Sequence, residues 1–148
     1  MPSSYVAIYV HLVFGPKFDS PNLPAHIRPR LHAYLATIIR SRKVQPISIN
    51  GPADHVHILT PLPKHQACQD FLRDLKANSS RWLHEQFPEM SAFQWQDGYS
   101  SFSVSPSGLD PLKRYIANQE EHHREKSFRE ELRGLLDEYR IDYDERYL

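Results

Sequence analysis

Two short apolar runs, Val44 to Asn50 and His55 to Leu62, meet across Gly51-Pro52-Ala53-Asp54, and a long amphipathic stretch flanks the pair on either side. Turn residues between two short runs read as a β-hairpin. A hairpin set between two helices leaves few chain paths open. On the N-terminal side, a helix from about Pro24 to Arg42 places Ile27, Leu31, Tyr34, Leu35 and Ile38 three and four apart; Pro29 is dissonant and would suit a start nearer itself. On the C-terminal side, a helix from about Gln66 to Gln86 carries Phe71, Leu72, Leu75, Trp82 and Leu83 on one face and stops before Pro88.

The remaining segments complete the path. Tyr5 to Phe14 reads as a strand, ended by Gly15-Pro16, and strand character returns at Phe93 to Trp95 and Tyr99 to Val104. After the break at Ser105-Pro106-Ser107-Gly108, Leu109 to His122 and Phe128 to Tyr139 read as two last helices. The expected fold is α+β: a ferredoxin-like split β-α-β-β-α-β with an antiparallel sheet, helices on one face, and a C-terminal helical extension that carries Tyr115.

At 148 residues the chain fits one domain, 1–148, large enough to form a core without disulfides. Its sole cysteine, Cys68, excludes an internal disulfide and a cysteine-rich zinc module, and is read as a buried small side chain. Eighteen basic residues balance 18 acidic ones, which counts against a bulk nucleic-acid binder. No apolar run approaches the roughly 20 residues of a membrane span. Nor does Met1-Pro2-Ser3-Ser4 begin a secretory signal, so a cytoplasmic protein is expected.

Chemistry concentrates in two short motifs. In a strand, alternate residues share a face, so His55 and His57 project together while Val56 points into the core. In a helix, residues four apart share a face, so Tyr115 and Gln119 can be presented together, a phenol beside an amide oxygen. Together they can place a nucleophile next to a metal ion. Asp54 suits either the hairpin turn or a hydrogen bond that orients one of the imidazoles. His11 is read as a hydrogen-bonded structural histidine. His122 and His123, adjacent on a helix, diverge by about 100° and are expected to be solvated.

Five stretches, in order, carry a resemblance: Val10-His11-Leu12-Val13-Phe14; Asp54-His55-Val56-His57; Leu75 to Trp82; Trp95-Gln96-Asp97-Gly98-Tyr99 with Phe102-Ser103-Val104-Ser105; and Tyr115-Ile116-Ala117-Asn118-Gln119 running into His122-His123. Over nearly its whole length the chain resembles the single-tyrosine HUH transposases of small bacterial insertion sequences, the insertion sequence 200/605 or IS200-like type. The resemblance implies metal-dependent cutting and rejoining of single-stranded DNA. It also implies His55, His57 and Gln119 as metal ligands, Tyr115 as the nucleophile, hairpins near the element ends as the DNA partner, and a homodimer. The expected ion is Mg²⁺ or Mn²⁺, since amide and phosphate oxygens suit both. Because ligation needs neutral imidazole, metal affinity is expected to fall as pH drops through about 6.5.

Lys76 and Arg81 on the second helix, and Arg42 and Lys43 at the end of the first, are candidate phosphate contacts. Two other readings stay open. One is a domesticated relative that binds hairpin DNA without transposing. The other is a metal-dependent phosphoesterase that uses water, with Tyr115 structural.

Overall fold

The structure, a computed structural model, describes residues 3–148; Met1 and Pro2, the start of the segment read as no secretory signal, lie outside the described residues. The chain runs β1 (Tyr9–Phe14), α1 (Arg28–Ser41), β2 (Ser48–Asn50), β3 (Val56–Pro61), α2 (Cys68–Gln86) and β4 (Ser100–Val104). The strands form one sheet in the order β2-β3-β1-β4, every neighbouring pair antiparallel. This is the split β-α-β-β-α-β arrangement the sequence suggests. A helical extension follows: α3 (Leu109–Ala117), α4 (Gln119–His122) and α5 (Phe128–Glu138).

Strand alternation divides the sheet into two faces of different chemistry. Val10, Leu12 and Phe14 of β1, with Val56 and Ile58 of β3, join Leu31, Leu35 and Ile39 of α1 and Phe71, Leu72 and Leu75 of α2 in the main core. Each such side chain, fully buried, contributes about 1.5–3 kcal/mol. The other face presents His11 and Val13 from β1, His57 from β3 and Phe102 from β4. Val13 and Phe102 pack there with Leu136 of α5, backed by Phe128, Leu132 and Leu135. Thus α1 and α2 lie on one face, as expected, while the extension covers the face that carries the histidines.

Prolines set several boundaries where apolar pattern alone would run on. Helix α1 starts at Arg28, with Pro29 in the first turn, where its missing N–H costs nothing. The run from Val44 becomes a strand only at Ser48, past Pro46. Phe93 to Trp95 forms a single bridge, Trp95 to Pro16, because the next ladder donors go to side chains: the Gly15 N–H to Gln96 Oε1 at 2.8 Å and the Gln94 N–H to Ser20 Oγ at 2.9 Å. At the N-terminal end β1 begins at Tyr9 rather than Tyr5, since its neighbours β3 and β4 stop at Pro61 and Val104 and leave Tyr5 and Val6 exposed.

The segment that leads into β3 is clasped between two glycines. A Cβ on Gly15 would stand 2.3 Å from the Asp54 carbonyl oxygen, and one on Gly51 would stand 2.2 Å from the His55 carbonyl oxygen. Only a residue without a side chain allows this approach. Replacing Gly51 with alanine is expected to destabilise the fold by at least the roughly 1–3 kcal/mol of an overpacked site, read as a fall of several degrees in Tm; an unchanged Tm would contradict the close approach.

On α1, His32 is half-buried, and its pKa is lowered to about 4, first by burial and then by the charge of Arg28. The neutral ring is thus favoured in the fold, while the unfolded chain protonates near ~6.5. Its contribution to stability is complete above pH ~6.5 and is lost as pH falls from there through about 4. In denaturant melts across this window, His32→Leu is expected to lose less stability than the wild type; parallel pH profiles would contradict it.

Candidate metal centre and tyrosine site

β3 delivers the first imidazoles. His57 lies opposite Val13 of β1 and Asn50 of β2, and His55 precedes the strand by one residue, so both rings reach the histidine-bearing face. Neither is accessible to solvent. Each is fixed from behind. Asp54 accepts from His55 Nδ1 at 2.8 Å, and His57 Nδ1 lies 2.7 Å from His11 Nε2, the two rings stacked with centroids 5.0 Å apart. Asp54 therefore serves as an orienting partner as well as a turn residue, and His11, read as structural, holds the tautomer of His57.

The extension supplies the rest. Asn118 interrupts the helix expected from Leu109 to His122, and the Asn50 amide caps the freed Ile116 carbonyl at 3.0 Å. The break turns α4 inward. Gln119 is fully buried there, its amide oxygen 3.3 Å from His55 Nε2 and 3.0 Å from His123 Nε2. Contrary to expectation, His123 is not solvated: it packs against the His55 ring, with centroids 4.6 Å apart. Nor is His122 fully solvated: at 28% exposure its Nε2 lies 3.5 Å from Glu131 Oε2, while His123 Nε2 lies 3.2 Å from Oε1, so the two neighbours converge on one carboxylate where they were expected to diverge.

Helix α5 opens with a capping box, Ser127 and Glu130, and turns Phe128, Leu132, Leu135 and Leu136 toward the sheet. Glu131 shares that stripe and is 3% exposed. One of its oxygens, Oε1, lies 3.1 Å from His55 Nε2, 3.0 Å from His57 Nε2 and 3.2 Å from His123 Nε2. The other, Oε2, accepts from the Tyr115 hydroxyl and from Gln119 Nε2. The structure thus gathers His55, His57, Tyr115 and Gln119, and adds two residues that the sequence reading missed, His123 and Glu131. Glu131 had a signal: an acid in the apolar stripe at 128, 131, 132, 135 and 136 is a buried charge awaiting partners.

Electrostatics follow from this crowding. Burial by itself would raise the Glu131 pKa, but donation from His55, His57 and Tyr115 drives it far below the carboxylate range. Burial would lower that of His55, but Asp54 and Glu131 on either side raise it. Burial prevails at His57, which is lowered against the pull of Glu131, and at His11, which is lowered to about 3. Tyr115 is raised, first by burial and then by the Glu131 carboxylate. Its hydroxyl also lies 3.1 Å from His122 Nε2, beside an open groove of about 740 Å³ lined by Tyr115, Asn118, Glu121, His122, Glu125 and Lys126.

His55, His57, His123 and Glu131 each offer a ligand atom, all within 4.8 Å of one another. At bond lengths of ~2.0–2.2 Å, that spacing suits one shared ion. A buried carboxylate facing three imidazole nitrogens is also the donor chemistry a divalent ion takes.

The candidate phosphate contacts lie apart from this centre. Lys76 turns its three donors to the carbonyls of Gln96, Asp97 and Gly98, so it ties down a loop. Arg42 pairs with Asp74 at 3.0 Å, and Arg81 donates to Asn78 on its own helix. Lys43 is exposed, with φ of 65° in the turn after α1. Cys68 is half-buried against the main core, its Sγ 3.3 Å from Ser101 Oγ. Among the described residues, no helix is long and apolar enough to cross a membrane.

Known proteins share this arrangement of chain. The family model for IS200-like transposases matches residues 4–119. The ISDra2 transposase TnpA of Deinococcus radiodurans is 25% identical over 114 residues, which cover 74% of this chain and 81% of that protein. The transposase of insertion sequence element IS200 from Salmonella typhimurium is 29% identical over 80 residues, 54% of this chain and about half (53%) of that protein. Among solved structures, a candidate transposase from Deinococcus radiodurans R1 superposes with a TM-score of 0.61 at 23% identity, covering 80% of this chain and 96% of that one. A REP-associated tyrosine transposase bound to a REP hairpin gives 0.54 at 12% identity, over 80% of this chain and 70% of that one. At these identities the structures speak to the fold; the family match, spanning most of the sequence, goes further, and the chain belongs to the IS200-like transposase family.

Proposed function

We propose that this chain is a DNA transposase that cuts and rejoins single-stranded DNA through a covalent bond to Tyr115. One observation carries the reading: the Tyr115 hydroxyl touches a carboxylate whose other oxygen faces three imidazoles. Membership of the IS200-like family supports transposition, and the hairpin held by the REP-associated relative supports hairpin DNA as the partner. The working form in this reading is a homodimer in which each copy carries Tyr115 and its own set of ligand side chains.

His55, His57, His123 and Glu131, with the Gln119 amide oxygen beside them, would hold a divalent ion. Of Mg²⁺ and Mn²⁺, a set of three imidazoles and one carboxylate favours Mn²⁺, since Mg²⁺ prefers oxygen ligands. When bound, the ion supplies Lewis acidity at the phosphate oxygens. The chain's own groups do the rest. The Tyr115 oxygen bonds to phosphorus while the bond from phosphorus to the 3′ oxygen breaks. The phenol proton passes to a neighbouring base, with His122 Nε2 placed 3.1 Å away, and the departing oxygen takes up a proton to become a 3′-OH. The DNA end is then a 5′-phosphotyrosine. Attack by another 3′-OH reverses the exchange and reseals a strand without ATP.

Asp54 and His11 orient the two β3 imidazoles, and loss of such partners typically weakens metal binding about 10- to 100-fold. Asp54→Asn and His11→Phe are each expected to weaken Mn²⁺ binding by that factor in calorimetric titration; wild-type affinity in both would remove the orienting role.

The test of the reaction is incubation with single-stranded oligonucleotides from the DNA flanking the gene, with Mn²⁺, followed by a denaturing gel. The wild type is expected to give a protein–DNA adduct that chelation abolishes, and Tyr115→Phe to give none while binding the oligonucleotide as before. Binding without an adduct would indicate a hairpin-binding relative. Metal-dependent hydrolysis that survives Tyr115→Phe would indicate a phosphoesterase.

A further inference from the structure

The segment matched by the family model ends at residue 119, and Glu131 comes from a helix beyond it. That helix is anchored at several points. Phe128 stacks on the His55 ring, with centroids 4.0 Å apart and planes at 6°. Leu136 packs with Val13 and Phe102 of the sheet, and the Tyr139 hydroxyl donates to the Ser103 carbonyl at 2.7 Å. Arg129 and Arg133 both reach Glu145 in the C-terminal segment. Glu131 is therefore presented from a fixed platform, between the ligand imidazoles and the tyrosine. A merely charge-balancing carboxylate would need only the imidazoles; this one spends its second oxygen on the nucleophile and on Gln119.

We propose that Glu131 is the positioning residue for Tyr115, a bridge that sets the tyrosine hydroxyl at a fixed place beside the imidazole cluster. The proposal rests on the reading of Tyr115 as nucleophile. Helix α5 then does more than cover the sheet: it adds to the family segment a strut between nucleophile and ligands. Orientation is the currency of such a strut, because a reacting group misplaced by about 1 Å loses on the order of a hundredfold in rate.

The test uses the full chain with 3-fluorotyrosine in place of tyrosine, the Tyr115 ¹⁹F resonance being assigned through Tyr115→Phe. Glu131→Gln removes the charge and keeps the shape. Glu131→Asp keeps the charge near the imidazoles but withdraws the oxygen from the phenol by one methylene, and so serves as a second variant should the first fail to fold. In both, the Tyr115 resonance is expected to move. Adduct formation at saturating Mn²⁺ is expected to fall roughly tenfold or more, the effect of losing a hydrogen bond to a charged group, with oligonucleotide binding unchanged. Glu131→Asp should bind Mn²⁺ more nearly as the wild type does. A wild-type rate at saturating Mn²⁺ in either folded variant overturns the proposal, whatever the metal affinity. Absence of any adduct in the wild type overturns the proposed function instead; in that case an unmoved Tyr115 resonance in the variants overturns this proposal as well.

Discussion

A carboxylate buried at 3% exposure loses several kcal/mol of hydration, on the order of what unfolds a small protein, unless charges or donors replace the water. Glu131 has that replacement from three imidazoles on one oxygen and from Tyr115 and Gln119 on the other. The partners come from β3 and the residue before it, from α3, and from α4 and the residue after it, while Glu131 itself comes from α5. Removing Glu131 would leave three imidazoles facing one another with only the Gln119 amide oxygen between them. Removing the imidazoles would strand a charge. The two halves of the site depend on each other, so the C-terminal extension and the sheet form one unit.

The backbone is shaped to allow that meeting. Gly15 and Gly51 let the 54–56 segment pass within contact of both adjoining strands, which sets where His55 starts. From there strand alternation is enough: Val56 enters the main core and His57 the opposite face. His11 sits two residues from Val13, the cross-strand partner of His57, and so reaches the second nitrogen of that ring. On the far side the helix is interrupted at Asn118, just before Gln119, and Asn50 of β2 donates to the Ile116 carbonyl there. The site draws on every layer of the fold except α1 and α2, which build the core beneath it.

Much of this was legible in the amino acids. Period-two alternation around His55 and His57, and the turn residues at 51–54, locate the hairpin and both imidazoles, because strand geometry is local. Helix periodicity finds α1, α2 and α5 to within a few residues. What escaped was non-local. The strand reading at Phe93 to Trp95 relies on side-chain character, whereas pairing is decided by two distant backbone and side-chain partners, Gly15 N–H on Gln96 Oε1 and Gln94 N–H on Ser20 Oγ. His123 is read as solvated through its pairing with His122, although it lies four residues past Gln119, the same spacing that joins Gln119 to Tyr115. Glu131 showed itself as an acid within an apolar stripe, a pattern visible in one dimension, but its partners are spread from residue 55 to residue 123. For Lys76 the sequence shows a basic side chain on a helix but not its neighbours, and in the fold its ammonium donates to three loop carbonyls.

In the proposed reading, His55, His57, His123 and Glu131 hold one metal ion beside Tyr115. Crystals grown with Mn²⁺ and measured at its absorption edge test this most directly. A single strong anomalous peak bonded to these four side chains, with Tyr115 alongside, is the expected result. A peak elsewhere, or none at this cluster with Mn²⁺ in excess, would contradict it.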